Sequence, residues 1–158
     1  MAEKERVEGL GGWLIVVALG IVFSPLRIAF ELFPLYSDVF RDGYWELLTT
    51  PGTEAYHVMW APIILGELGI NLILMVVWVF IGFLFFTKNR MLPKWYIGIL
   101  LFTLVFIFVD AFAVKIVVPN EPIFNGTTIG EIIRTLIPCI IWIPYMLVSQ
   151  RVKATFVR

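Results

Sequence analysis

Four long apolar stretches constrain this chain more than any other feature of its sequence. They cover residues 12–33, 60–86, 94–118 and 128–147. Each is near or above the ~20 residues that an α-helix needs to cross the hydrocarbon core of a bilayer. A helix satisfies its own backbone hydrogen bonds in lipid, whereas an unpaired strand does not. The sequence therefore predicts an all-α integral membrane protein, a four-helix bundle that forms one domain over residues 1–158.

The composition supports a membrane protein and limits its chemistry. Hydrophobic residues make up 60% of the chain, too many for a soluble domain. The single cysteine, Cys139, excludes a thiol oxidoreductase that needs a cysteine pair, and the single histidine, His57, argues against a haem-carrying bundle. We see no metal-ligand cluster and expect no cofactor and no nucleic-acid partner. Membrane lipids are the expected surroundings.

Basic residues outside the spans predict the orientation of the bundle. By the positive-inside rule, loops rich in Lys and Arg are cytoplasmic. The two loops at the other end contain one basic residue, Arg41. Both termini are therefore predicted to be cytoplasmic. The basic residues that support this are Lys4, Arg6, Lys88, Arg90, Lys94, Arg151, Lys153 and Arg158.

The first periplasmic loop, residues 34–59, is predicted to contain a short interfacial helix. Ser37 or Asp38 can cap it, aromatic residues follow, and the breaker Pro51-Gly52 ends it. The helix is interpreted either as a cap with interfacial aromatic residues or as a lid over an outward-facing pocket.

Seven ionisable residues inside the apolar stretches lie in the predicted periplasmic half of the membrane. A charge in hydrocarbon is costly unless it is paired or hydrated, so such residues are functional candidates. At ~1.5 Å rise per residue, four of them lie at one level, ~5–6 Å from the span centres. The level contains Arg27, Glu67, Asp110 and Arg134, and a rim nearer the periplasm contains Glu31, Glu131 and Lys115.

We call the seven residues of the level and the rim the charged layer, and two interpretations of it remain open. Glu67 and Asn71 form a polar pair at i,i+4, and the other charges recur on helix faces that would point inwards. The charges could form an ion-pair network that only fixes helix register. Alternatively, they could line a pocket that is open to the periplasm. Four acids and three bases leave a formal charge of −1. Fixing helix register would need fewer ionisable groups than these seven, so the surplus favours the pocket.

The leading functional hypothesis is a binding or accessory protein. Its pocket would recognise a small polar or zwitterionic ligand, a lipid headgroup or the charged group of a membrane-protein partner. The alternative is a small transporter, or a subunit of one, that uses Glu67 and Asp110 as proton- or cation-linked carboxylates. Four helices are few for a transporter, so transport would need a homo-oligomer. A carboxylate pair alone is weak evidence of catalysis, and the sequence favours a protein that is not an enzyme.

Several short motifs occur along the chain. They are the opening Gly11-Gly12-Trp13-Leu14-Ile15, Thr50-Pro51-Gly52 before Ala55-Tyr56-His57, Glu67-Leu68 with Asn71, Trp142-Ile143-Pro144-Tyr145, and Ser149-Gln150-Arg151-Val152-Lys153-Ala154-Thr155-Phe156. Together they resemble a family of small bacterial inner-membrane proteins known as domain of unknown function 2569. The resemblance implies a four-span protein of the bacterial inner membrane and implies no activity.

The C-terminal motif has two interpretations. Arg151 and Lys153 would stabilise the end of the last helix and contact anionic headgroups. Alternatively Arg151, Lys153 and Phe156 would dock on a partner subunit.

Overall fold

The computed structural model describes residues 9–157, which form six α-helices and no strand. Four of the helices are long and apolar enough to cross a membrane, so the predicted four-helix membrane bundle is confirmed. Lys4, Arg6 and Arg158, three of the residues behind the predicted orientation, lie outside the described range. The helices are α1 (Trp13–Arg41), α2 (Tyr44–Thr49), α3 (Trp60–Phe86), α4 (Leu92–Val117), α5 (Gly126–Val148) and α6 (Gln150–Thr155).

The first helix is longer than the sequence predicted. The predicted second span coincides with α3, and the third and fourth differ from α4 and α5 by one or two residues at each end. However, α1 continues through Pro34 to Arg41, whereas its apolar run was expected to end at residue 33. Contact with α3 stabilises the extra turns, because Tyr36 is buried and its hydroxyl donates to the Ile64 carbonyl at 3.3 Å. At ~1.5 Å per residue, the 29 residues of α1 extend ~44 Å, more than the ~30 Å hydrocarbon core.

The short helix in the first long loop exists, but it begins later than predicted. Ser37 and Asp38 lie inside α1 and do not cap α2. The turn between the two helices instead uses Gly43, whose φ of 78° suits a residue without a side chain. The Phe40 and Trp45 rings, with centroids 5.3 Å apart, hold α2 against the end of α1.

The bundle is packed more tightly at one end than at the other. We call the half that holds both described ends of the chain the terminal half, and the opposite half the loop half. Helix α1 packs mainly on α3, α3 also on α4, and α4 on α5, while α1 and α5 approach each other less closely. Most buried apolar residues lie in the terminal half: Leu14, Val17, Ile21, Trp78, Ile81, Leu84, Phe85, Leu92, Tyr96, Ile99, Leu100, Met146, Val152 and Phe156.

A contact between the two ends of the chain closes the terminal half. Ser149 ends α5 and caps α6, because its hydroxyl oxygen accepts from the Val152 amide at 3.4 Å. The fully buried Thr155 bonds the backbone of Gly9, and the Phe156 ring packs on Phe85 with centroids 5.6 Å apart. We call this contact between residues 9–12 and 149–156 the terminal clasp. Neither α6 nor the clasp was predicted from the sequence.

The glycines at the start of α1 make room for an arginine of the clasp. A Cβ atom added to Gly11 would lie 3.1 Å from Nη1 of Arg151, closer than side chains usually approach. Gly12 has a φ of 59°, in the left-handed region that favours glycine, and its added Cβ would lie 3.7 Å from Nε of Arg151. The guanidinium therefore lies against the backbone where α1 begins.

Candidate functional site

The intramembrane charges lie together in the loop half of the bundle. Helix α1 contributes two of them, α3 one with its neighbouring asparagine, α4 two and α5 two. Few large side chains are buried in this half. Four of the charged residues, Arg27, Glu31, Glu131 and Arg134, are exposed. The residues are Arg27 and Glu31, Glu67 and Asn71, Asp110 and Lys115, and Glu131 and Arg134.

One ion pair joins α1 to α5 in this half. Nη1 of Arg134 donates to Oε1 of Glu31 at 3.2 Å, and this is the only salt bridge within residues 9–157. The two side chains remain 60% and 52% exposed. Within a membrane, such exposed charges require water, a ligand or another protein to cover them. The pair lies at the seam between α1 and α5, the helices that approach each other less closely than the other neighbours.

The ion network that could fix all four helices does not form among the described residues. The sequence placed Arg27, Glu67, Asp110 and Arg134 at one level, but of these only Arg134 makes an ion pair, and its partner belongs to the predicted rim. The guanidinium of Arg27 is exposed. The charged layer therefore contains ionisable side chains that make no ion pair within residues 9–157.

Three carboxylates of the layer lie near one another without an ion pair. Glu67 is close enough to Asp110 and Glu131 for their charges to interact, and Glu131 is within electrostatic reach of Arg27 and Arg134. None of the three carboxylates accepts a hydrogen bond from residues 9–157. Two ionised carboxylates that line one cavity, as Asp110 and Glu131 do, repel each other, and hydrocarbon around them strengthens the repulsion.

Asn71 does not bond the carboxylate of Glu67, as an i,i+4 side-chain pair would. Its amide nitrogen donates instead to the Glu67 carbonyl at 3.0 Å, within the same helix. The Glu67 carboxylate is therefore left free for other partners. The sequence also missed Tyr36, which lies within electrostatic reach of Glu67 and Asp110. Tyr36 falls within the predicted first loop, residues 34–59, although its spacing from Leu32 and Phe40 continues one helical face.

A small cavity lies between the loop-half ends of α4 and α5 and the segment that joins them. Asp110 and Glu131 both line it, together with Lys115 and Asn125. Its volume is about 80 Å³, whereas a water requires roughly 10–15 Å³ on the same measure. The cavity therefore has room for several waters or for one small polar group.

Lys115 does not neutralise the carboxylates of this cavity. Its Nζ donates to the carbonyls of Pro119 and Glu121, each at 2.7 Å. These bonds hold the ammonium at the end of α4. Asn125 caps α5 by accepting from the Thr128 amide at 2.9 Å. The Lys115 and Asn125 side chains are thus already engaged with the backbone.

The C-terminal residues proposed for partner docking have three different environments. Phe156 is 6% exposed and belongs to the core, and Arg151 lies over Gly11 and Gly12. Only Lys153 is exposed. Docking through Phe156 would require the clasp to open. The docking role of these residues stays a prediction.

No group of three His, Cys, Asp or Glu side chains within residues 9–157 is placed to hold a metal ion. His57 uses its Nδ1 to accept from the Met59 amide at 3.2 Å, a local turn contact at the start of α3. Cys139 is buried, with Sγ 3.7 Å from the Leu100 carbonyl, and so contributes to contact between α4 and α5.

These features define a multi-pass α-helical membrane protein with a charged layer in one half of its bundle. The chain belongs to the family described as protein of unknown function DUF2569, whose model matches residues 7–157. It is similar to the inner membrane protein YdgK of Escherichia coli (strain K12), with 29% identity over 152 residues, which covers 95% of this chain and 94% of that protein. No solved structure matches it. The protein is thus a multi-pass protein of the bacterial inner membrane.

Proposed function

We propose that this protein binds a small cationic or zwitterionic group in the charged layer of its loop half. The observation that carries the proposal is the cavity between α4 and α5. Asp110 and Glu131 both line it, and neither carboxylate makes an ion pair or accepts a hydrogen bond within residues 9–157. With the termini cytoplasmic, as the positive-inside rule predicts, this cavity faces the periplasm. The protein would act as a binding or accessory component of the membrane and not as an enzyme.

The charges favour a ligand with a positive group. Four carboxylates of the layer are accompanied by two guanidiniums, because the third basic group, Lys115, already donates to two carbonyls. One guanidinium is paired with Glu31. A positive group between Asp110 and Glu131 would relieve their repulsion and replace the water that otherwise hydrates them.

The size of the cavity limits the part of the ligand that enters it. About 80 Å³ accommodates an ammonium or methylammonium group but not a large headgroup. The remainder of a zwitterion would lie in the seam between α1 and α5. There, Arg27 and Arg134 provide guanidiniums for a carboxylate or phosphate, and such charge-assisted bonds are among the strongest hydrogen bonds in proteins.

The packing of the terminal half favours binding over transport. A transporter must open its site to each side of the membrane in turn. In this protein the large buried side chains, among them Trp78, Phe85 and Tyr96, lie in the terminal half, and the terminal clasp covers its end. The charges and cavity lie in the other half. We therefore infer access from one side only.

Thermal unfolding in detergent tests the proposal. Methylammonium, ethanolamine and glycine betaine are added to the purified protein, with sodium chloride at equal ionic strength as the reference. At 100 times its Kd a ligand stabilises the folded state by ~2.7 kcal/mol, which gives a measurable rise in the unfolding temperature. At least one of the three should stabilise the protein beyond the salt reference.

Two variants make this experiment specific. The double variant D110N/E131Q should abolish the ligand-dependent rise, because it removes both carboxylates of the charged layer that line the cavity. The third acid that lines the cavity, Glu121, belongs to the segment after α4. The matched control E54Q changes an exposed carboxylate outside the charged layer and should retain the rise. If none of the three compounds stabilises the protein, or if D110N/E131Q responds as the unmodified chain does, the binding proposal is wrong.

A further inference from the structure

The ion pair between α1 and α5 is weakly held. Nη1 of Arg134 makes one bond to Oε1 of Glu31, at 3.2 Å, and more than half of each side chain is exposed. A guanidinium can instead hold a carboxylate or phosphate through two parallel bonds, which are shorter, at about 2.7–2.9 Å, and stronger. The Arg134 guanidinium makes no other hydrogen bond within residues 9–157. Its partner can therefore be exchanged for an anion that bonds it better.

The guanidinium of this pair lies beside the cavity between α4 and α5. Arg134 follows Glu131 by three residues on α5, which places their Cβ atoms about 5–6 Å apart as neighbours on the helix surface. Glu131 lines the cavity. A ligand whose ammonium lies at Glu131 thus brings an anion, attached through a linker of a few atoms, to Arg134. In the ligand-free structure the Glu31 carboxylate occupies the place of that anion.

A second guanidinium lies where it can receive Glu31 after displacement. Arg27 precedes Glu31 by four residues on α1, so the two side chains are neighbours on one face of the helix. Arg27 is exposed and makes no ion pair within residues 9–157. An exchange of partners therefore gives each anion a guanidinium. This matters at membrane depth, where an unpaired charge is costly.

We propose that Arg134 is the anion-binding residue of the charged layer and that Glu31 is a built-in competitor for it. The ligand is an ammonium joined by a short linker to a phosphate or carboxylate. Its anion replaces the Glu31 carboxylate on Arg134, and Glu31 turns to Arg27. Ligand binding thus opens the ion pair that joins α1 to α5 in the loop half. This inference rests on the proposed function, in which Asp110 and Glu131 bind the positive group.

Ligand affinities of E31Q test the competition. Thermal unfolding in detergent gives the dissociation constants of ethanolamine, which has no anion, and of three zwitterions: β-alanine, glycerophosphoethanolamine and dihexanoylphosphatidylethanolamine. E31Q should bind at least one zwitterion about fivefold more tightly than the unmodified chain, the factor expected when an exposed ion pair no longer competes. It should not bind ethanolamine more tightly, because it removes a negative charge from the layer. The zwitterion that responds identifies the anion and shows whether it belongs to a lipid.

A cycle with Arg134 separates competition from a general effect of charge. In R134Q, the further change E31Q should no longer tighten zwitterion binding, because no guanidinium is released. The control E54Q removes an exposed carboxylate outside the charged layer and should leave all four affinities unchanged. Tightening by E31Q that persists in R134Q, or no tightening by E31Q when Arg134 is present, would each overturn the inference.

A third variant tests the exchange of partners. R27Q should weaken zwitterion binding when Glu31 is present, because the displaced carboxylate then has no guanidinium to receive it. In E31Q the same change should have little effect. Equal weakening in both backgrounds would show that Arg27 binds the anion itself, which overturns the exchange.

The outcomes distinguish this inference from the proposed function. Ethanolamine binding that needs Asp110 and Glu131, without tightening of any zwitterion by E31Q, overturns the competition and leaves the proposed function in place. If none of the four compounds binds to the unmodified chain or to E31Q, both are wrong.

Discussion

The Thr155 hydroxyl joins the two described ends of the chain by bonding both backbone groups of Gly9. Its oxygen accepts from the Gly9 amide at 3.0 Å and its proton points to the Gly9 carbonyl at 3.3 Å. Thr155 is fully buried, so water cannot replace these bonds. The pair therefore fixes where the N-terminal segment enters the bundle.

Replacing Thr155 by valine should destabilise the protein. The change leaves the Gly9 amide without its partner at a part-buried site, whereas the Gly9 carbonyl still accepts from the Gly11 amide at 2.9 Å. An unsatisfied buried group costs about 1–3 kcal/mol. Chemical unfolding in detergent measures the effect. T155S, which keeps the hydroxyl, should lose less. T87V removes an exposed hydroxyl that bonds the Phe83 and Leu84 carbonyls of its own helix, and serves as the control.

Truncating Phe156 distinguishes a structural role from partner docking. Because the ring is buried against Phe85, F156A should lower the free energy of unfolding by about 3–5 kcal/mol, as large aromatic truncations in cores do. V157A, at the exposed neighbouring position, should have little effect. Stability equal to that of the unmodified protein, together with the loss of a co-purifying partner, would instead favour docking.

The ion pair at the seam should appear as a coupling energy. In a double-mutant cycle, E31Q and R134Q should be non-additive by about 1 kcal/mol, the upper range for exposed pairs in water, because part of the seam faces lipid. The matched cycle of R27Q and E67Q joins two residues that make no ion pair and should be additive within about 0.5 kcal/mol. Coupling in the second cycle but not in the first would contradict the observed pairing.

Removing negative charge from the small cavity should stabilise the protein without ligand. Asp110 and Glu131 line the same cavity and accept no hydrogen bond from the described residues, so their ionised carboxylates repel each other. D110N/E131Q should therefore raise the free energy of unfolding by about 1 kcal/mol, as expected for the relief of repulsion between partly hydrated charges. The unfolding midpoint in detergent measures this change. A decrease would indicate that one of these carboxylates stabilises the ligand-free fold.

The long helices could be predicted because their signal is local. Residues 60–86 form an uninterrupted apolar run bounded by polar segments, and α3 has those bounds. The extension of α1 could not be read in the same way, because Pro34 normally ends or kinks a helix. Its continuation depends on the contact of Tyr36 with Ile64, which lies 28 residues away in the sequence.

The depth of the charged residues was predictable, but their partners were not. Rise per residue places Glu67, Asp110 and Arg134 in one half of the membrane whatever the rotation of each helix. Pairing depends on that rotation and on how closely the helices approach, and neither follows from spacing along one helix. The structure consequently pairs Arg134 with Glu31 and directs Lys115 to two carbonyls.

The terminal clasp was missed because its sequence signal has two meanings. Arg151 and Lys153 after an apolar run are typical of a cytoplasmic flank that contacts headgroups. The six residues of α6 are too few to form a stable helix alone, and they depend on the Ser149 cap and on the burial of Val152.

The terminal clasp also has a consequence for biosynthesis. Gly9 and Thr155 are 146 residues apart, so translation at ~5–20 residues per second separates their appearance by roughly 7–30 s. Throughout that interval, earlier helices are already in the membrane while Phe85 lacks the Phe156 ring that covers it. Closure of the clasp is therefore a late event in folding, because it must wait for Thr155 and Phe156 to be synthesised.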